Sequence, residues 1–87
     1  MKVAVWDTYV TKKNGQEMHF DILAPDDITD LETIYGFGKD YLKAKQQEGS
    51  TLSARECNFC HIEKATPAIE EAIIAKGYYI IEMEGCE

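Results

Sequence analysis

Residues 3–24 have the sequence VAVWDTYVTKKNGQEMHFDILA, and this stretch decides the fold. Two β-rich runs, residues 3–11 and 17–24, flank a turn in which Asn14-Gly15 favours the positive φ angles of a type I′ hairpin. A tight hairpin of this kind pairs odd-numbered residues of the first strand with even-numbered residues of the second. We therefore expect an antiparallel pair of strands at the start of the chain.

This register predicts two sheet faces of different character. The first face is the expected core, and it carries Val5, Asp7, Tyr9, Met18, Phe20 and Ile22. The second face carries Trp6, Thr8, Val10, His19, Asp21 and Leu23. We interpret Asp7 as a carboxylate that accepts hydrogen bonds at the sheet end, with a general acid or base as the alternative. We interpret His19 and Asp21 as a solvated cluster, with a general base and its orienting carboxylate as the alternative.

The remainder of the chain predicts two main helices. Thr29-x-x-Glu32 fits a capping box ahead of a first helix, which Gly49 is suited to end. Ser53-x-x-Glu56 suggests a further short helical turn. Thr66-Pro67 is an N-cap followed by proline at the first helical position, and Gly77 is suited to end that second helix.

Strands are expected on either side of the second helix, near residues 60–64 and over residues 78–84. Because strand, helix, strand is the order of a right-handed parallel crossover, we predict a mixed sheet. The predicted fold is thus one α+β domain over residues 1–87. It has an N-terminal β-hairpin, two main helices and a mixed four-stranded sheet in the order β-β-α-β-α-β.

Composition narrows the classes of partner. The chain is 45% hydrophobic and 29% charged, values typical of a globular domain. Its formal net charge of -7 disfavours nucleic acid, because phosphate binding needs clustered Lys and Arg. We see neither a signal peptide nor a run of about 20 apolar residues, so we expect a cytoplasmic protein without a membrane partner. Its three cysteines are then expected to be thiols.

The segment Cys57-Asn58-Phe59-Cys60-His61 matches three chemical motifs. Haem attachment through C-x-x-C-H is disfavoured, since it normally occurs outside the cytosol and needs a larger apolar pocket. A redox C-x-x-C is disfavoured because the motif follows a helical turn instead of opening a helix. A zinc site with Cys57, Cys60 and His61 lacks a second pair of ligands. The structural interpretation is that both cysteines pack as small hydrophobes at a turn. We expect Cys86, near the chain end, to be the most exposed and reactive thiol.

An apolar set on the second face suggests an interface. If both helices cover the first face, this surface stays open; it consists of Trp6, Val10, Leu23, Tyr78 and Ile80. Alternatively, one helix crosses over and covers it. We expect a small non-enzymatic module that binds a partner or forms a homo-oligomer through this surface, without a cofactor. The alternative is a metal-binding or thiol-redox protein centred on Cys57-x-x-Cys60-His61, with zinc as its cofactor.

Four segments together carry a resemblance to a known family. They are VWDTYV at residues 5–10, MHFDIL at 18–23, ECNFCHIE at 56–63 and GYYIIEMEGC at 77–86. The chain resembles a small bacterial family known only as domain of unknown function two-thousand-twenty-four, over nearly its whole length. The resemblance implies a compact α+β bacterial protein. It implies no activity, substrate, cofactor or functional residue.

Overall fold

The computed structural model describes residues 1–47 and 57–86, with the side chain of Cys57 excluded. Within these residues, six elements follow one another: β1 (Lys2–Thr11), β2 (Glu17–Pro25), α1 (Leu31–Ala44), β3 (Cys57–Lys64), α2 (Pro67–Lys76) and β4 (Tyr79–Glu84). The predicted α+β class and the order β-β-α-β-α-β are confirmed. The expected stop at Gly49 and the helical turn at residues 53–56 lie outside the described residues.

All four strands form one antiparallel sheet in the order β3-β1-β2-β4. The prediction of a mixed sheet with a parallel crossover is therefore wrong. The N-terminal hairpin occupies the centre of the sheet, and each of its two strands has one free edge. β3 pairs with the free edge of β1, and β4 pairs with the free edge of β2. β3 and β4 therefore lie at opposite edges of the sheet, and α2 connects them.

The hairpin loop sets the register of the central strands. The Lys12 N–H donates to the Gln16 carbonyl at 2.8 Å, and the Gly15 N–H donates to the Lys12 carbonyl at 3.0 Å. Gly15 has a φ of 87°, whereas Asn14 does not have a positive φ. A type I′ turn needs a positive φ at both central residues, so that prediction is wrong; a longer loop with one left-handed glycine forms instead. Thr11 consequently faces Glu17, and odd residues pair with odd.

This register turns β2 over relative to the predicted pairing. Trp6 now lies opposite Ile22, and Asp7 lies opposite Asp21. The α1 face is the side of the sheet that packs against α1. Its buried cluster contains Ala4, Trp6, Val10, Met18, Phe20, Ile22, Ala24, Ile34, Tyr41, Leu42, Tyr78 and Cys86. The α2 face is the opposite side, where a smaller cluster packs against α2 and contains Val3, Val5, Leu23, Ala65, Ile69 and Ile73. The molecule therefore has three layers, helix, sheet and helix.

The apolar set proposed as an open interface is divided between these two cores. Trp6, Val10 and Tyr78 are buried on the α1 face, and Ile80 is half-buried against the same cluster. Leu23 is buried on the α2 face. The expectation that these five residues share one exposed surface is wrong, because both faces of the hairpin are apolar and each is covered by its own helix.

The helix ends follow local capping rules. Thr66 Oγ1 accepts a hydrogen bond from the Ile69 N–H at 3.3 Å, and Gly77 ends α2 with a φ of 93°, so both predicted ends of α2 are confirmed. α1 begins after Asp30, whose carboxylate accepts from the Glu32 N–H, one residue later than the expected Thr29 cap. No helix within residues 1–47 and 57–86 is long and apolar enough to cross a membrane.

Candidate metal centre

Three chelating side chains converge on the α2 face. Asp7 on β1 lies directly opposite Asp21 on β2, and His19 is two residues before Asp21. Residues two apart on a strand share a face, so the register brings all three side chains together. One ligand atom from each side chain lies within 4.8 Å of those of the other two. We call this group the Asp-His-Asp cluster.

The spacing within the Asp-His-Asp cluster is too wide for direct hydrogen bonds from the imidazole. His19 Nε2 lies 3.7 Å from Asp21 Oδ1 and 4.0 Å from Asp7 Oδ1. Both His19 Nε2 and Asp21 Oδ1 are buried without a hydrogen-bond partner. An unsatisfied buried polar atom costs about 1–3 kcal/mol. Ligand atoms that surround zinc at about 2.0–2.2 Å lie about 3.4 Å from one another, so this spacing is close to that of a metal site.

The two carboxylates of the cluster oppose each other electrostatically. Burial, a hydrogen bond with Asp7 and the Asp7 charge raise the pKa of Asp21 to about 6, against a lowering effect of His19. Like charges directly opposite each other on paired strands are destabilising. A constellation that costs stability and perturbs a pKa is a candidate functional site.

The His19 imidazole is held in place by its cross-strand neighbour. Its ring stacks on the Tyr9 ring with centroids 4.2 Å apart and planes at 10°. The His19 carbonyl accepts a hydrogen bond from the Cys86 thiol at 3.4 Å. Contacts to both its ring and its backbone therefore fix His19 within the cluster.

Cys86 is buried, with 6% of its surface exposed, so the expectation of an exposed thiol at the chain end is wrong. Gly85 turns the chain end back onto β2 with a φ of 69°. A Cβ at this position would lie 2.4 Å from the Glu17 carbonyl oxygen. The close approach that only glycine permits brings Cys86 into the α1-face cluster.

Two of the three sequence-predicted metal ligands lie beside the Asp-His-Asp cluster. His61 pairs with Val5 and therefore shares the face of Asp7. Its Nδ1 lies 3.2 Å from the sulfur of Cys60, and both residues are exposed. The side chain of the third, Cys57, lies outside the described part of the chain.

The chain matches a known family model and a solved structure. The model of a domain of unknown function, DUF2024, matches residues 1–83. The chain belongs to the DUF2024 family. This DUF2024 chain is also similar to protein NE1680 from Nitrosomonas europaea, whose NMR structure it matches with a TM-score of 0.85. The two are 44% identical, and the match covers 100% of each chain. No curated protein matches the sequence significantly.

Sequence reasoning missed the Asp-His-Asp cluster of this DUF2024 protein because of one assumed turn type. The type I′ register placed Asp7 on one face and separated it from His19 and Asp21 on the other. The apolar pattern of the two strands nevertheless contained a signal. With one more residue in the loop, apolar side chains from both strands lie next to one another over at least half of each sheet face. In that register, Asp7-x-Tyr9 lies opposite His19-x-Asp21.

The surroundings of Cys60 in this DUF2024 protein favour its neutral thiol. Partial desolvation, the negative charges of Asp7 and Asp21, and a hydrogen bond with Asp7 raise the pKa of the Cys60 thiol above its ordinary value. Reactive thiols instead need positive surroundings that favour the thiolate. A bound cation would supply such surroundings.

Apart from the Asp-His-Asp cluster, a concave site at the sheet edge is lined by Lys45, Glu82, Met83, Glu84 and Cys86. Glu82 accepts a hydrogen bond from the Tyr41 hydroxyl at 2.5 Å and pairs with Lys45 at 2.9 Å. The charges of Lys45 and Glu82 are thus matched to each other, and this network ties α1 to β4.

Proposed function

We propose that this protein binds a divalent transition-metal ion, with zinc as the expected ion, at the Asp-His-Asp cluster. One observation carries the proposal. Each of the three side chains offers a ligand atom within 4.8 Å of those of the other two, and His19 Nε2 and Asp21 Oδ1 are buried without a hydrogen-bond partner. A cation between them satisfies both atoms and offsets the repulsion between Asp7 and Asp21.

The donor set favours zinc over magnesium or calcium. Magnesium and calcium prefer sites built from oxygen ligands alone, whereas imidazole favours zinc and related transition metals. All three donors stand on the two central, paired strands and not on loops. Such a site is organised before the ion arrives, so little ordering is required on binding.

This proposal keeps the metal-binding alternative from the sequence but moves its centre. The hairpin supplies the ligands, and the Cys57-x-x-Cys60-His61 segment lies at their side. Self-association of the protein stays a prediction. The buried positions of Trp6, Val10, Leu23 and Tyr78 argue against the surface first considered for it.

Calorimetric titration of metal-free protein with Zn²⁺ tests the proposal. We expect about one ion per chain and a higher melting temperature in its presence, since a ligand bound only by the folded state stabilises it. His19→Gln retains a polar side chain of similar size and should weaken binding at least about 100-fold, or about 2.7 kcal/mol. Asp27→Asn is the matched control, because it removes an exposed carboxylate remote from the cluster and should bind as the unchanged protein does.

Two results would contradict the proposal. One is the absence of heat and of a thermal shift with Zn²⁺ in the unchanged protein. The other is equal affinity in the unchanged protein and in a folded His19→Gln variant. Circular dichroism of each variant establishes that it is folded before binding is compared.

A further inference from the structure

The edge strand β3 contains an irregularity next to the Asp-His-Asp cluster. Val5 pairs with His61 and Trp6 pairs with Phe59, so Cys60 has no partner on β1. An extra residue of this kind is a β-bulge, which re-aims a side chain and is frequent beside functional sites. In a regular strand, by contrast, Cys60 and His61 would lie on opposite faces.

The surroundings of Cys60 show where the bulge directs its sulfur. Its sulfur lies 3.2 Å from Nδ1 of His61, whose partner Val5 lies on the same sheet face as Asp7. The side chain of Phe59, on the preceding residue, packs edge-on against Trp6 of the α1 face. The bulge therefore places the thiol on the cluster side of the sheet while Phe59 stays on the other.

We propose that Cys60 supplies a thiolate as the fourth ligand of the metal ion held by Asp7, His19 and Asp21. This inference rests on the proposed function and specifies the chemistry of that same site. The Cys60 sulfur is not one of the ligand atoms that lie within 4.8 Å of one another in the Asp-His-Asp cluster. A change between staggered rotamers moves a γ atom by about 3 Å, and Cys60 is exposed, so no core packing opposes the rotation.

A thiolate ligand changes what the site holds and what it does. Sulfur selects zinc or cobalt over the hard cations, and two carboxylates, one imidazole and one thiolate complete a four-coordinate shell. A shell closed by four protein ligands leaves no position for a reacting water. The site then holds its ion firmly, and its occupancy depends on the state of one exposed thiol.

Titration with Co²⁺ tests this inference, because thiolate-to-cobalt charge transfer absorbs in the near ultraviolet separately from the visible bands of the ion. We expect the charge-transfer band in the unchanged protein and its loss in Cys60→Ser, with affinity lowered at least about tenfold. Cys57→Ser is the matched control, because it removes a different thiol, and it should keep the band. His61→Gln should keep it as well.

Alkylation with N-ethylmaleimide, mapped by mass spectrometry, gives a second readout. Zn²⁺ should protect Cys60 in the unchanged protein and should not protect it in His19→Gln. Visible cobalt bands without charge transfer, or a band that survives Cys60→Ser, would overturn the thiolate ligand and leave the three-ligand site standing. If neither Zn²⁺ nor Co²⁺ binds the unchanged protein, the proposed function itself fails, and the inference fails with it.

Discussion

The two faces of the sheet differ in how completely they are packed. On the α1 face, Phe20, Ile22 and Ile34 have no exposed surface, and the apolar cluster runs the length of the hairpin. On the α2 face the apolar cluster is smaller, and the helix residues Ile69 and Ile73 remain 9% and 7% exposed. The rest of that face carries the Asp-His-Asp cluster. The difference indicates that one face supplies most of the stability, which leaves the other able to carry polar groups that cost stability.

Truncation of one core residue on each face gives the largest expected effect. Phe20→Ala should lower the free energy of unfolding by about 4 kcal/mol, because it opens a cavity in a fully enclosed core. Ile73→Ala should cost about 2 kcal/mol, since the thinner cluster under α2 collapses more easily. Urea denaturation measures both values. Equal losses would show that the two faces contribute alike and would break the comparison.

The hairpin loop determines which residues each face receives, so a change at Gly15 is the next test. Gly15 has a φ of 87°, and no atom lies within 4 Å of a Cβ added there, so strain alone opposes a side chain. Gly15→Val should cost about 1–2 kcal/mol.

Gly36→Ala serves as the control for the loop glycine. It lies within α1, without a positive φ and with open space around an added Cβ. It should therefore stabilise the protein by about 0.5–1 kcal/mol through helix propensity. Denaturation curves that show no loss for Gly15→Val would remove the left-handed glycine as the determinant of the register.

Local signals in the sequence predicted the elements but not their arrangement. Thr66-Pro67 and Gly77 specify the ends of α2 through capping chemistry, which depends only on neighbouring residues. The parallel crossover was wrong because pairing partners are chosen by the whole sheet. β3 and β4 are closer in sequence to each other than to the hairpin strands, yet each of them pairs with an edge of the hairpin, so proximity along the chain did not select the partners.

The candidate site shows how one local error becomes a long-range one. Asn14-Gly15 fits a two-residue turn, yet the chain forms a longer loop around the same glycine. The difference of one residue moves every β2 side chain to the other face, which unites Asp7 with His19 and Asp21. The turn residues alone do not select between the two loops. The apolar character of both faces in the observed register is what decides it.

A single carboxylate should affect stability and metal binding in opposite directions. Asp21→Asn removes one of two directly opposed charges and should raise the stability of the metal-free protein by about 1 kcal/mol, while it abolishes tight Zn²⁺ binding. Thermal denaturation with and without Zn²⁺ measures both effects, and Asp27→Asn should change neither. A loss of stability in metal-free Asp21→Asn would mean that the cluster supports the fold, and it would remove the contrast between the two faces.

The smallest expected effect concerns the polar edge of the α1 face, where Tyr41 and Lys45 meet Glu82. Hydrogen bonds from Tyr41 and Lys45 hold the pKa of Glu82 below its ordinary value of 4.5. A carboxyl whose pKa is lower in the folded state stabilises the fold above its unfolded pKa, and this contribution is lost as the pH falls through the folded value.

Tyr41→Phe should therefore cost about 0.5 kcal/mol at pH 7, a small loss because Glu82 is largely solvated. The cost should stay constant down to about pH 5 and shrink below the ordinary pKa of 4.5, as Glu82 becomes protonated in both proteins. Urea denaturation at neutral and acidic pH, with Tyr35→Phe as a control on the same helix, measures this difference. A cost that is independent of pH would assign the loss to the hydroxyl itself and not to the charge of the Glu82 carboxylate, because the variant keeps the ring that packs on Phe20.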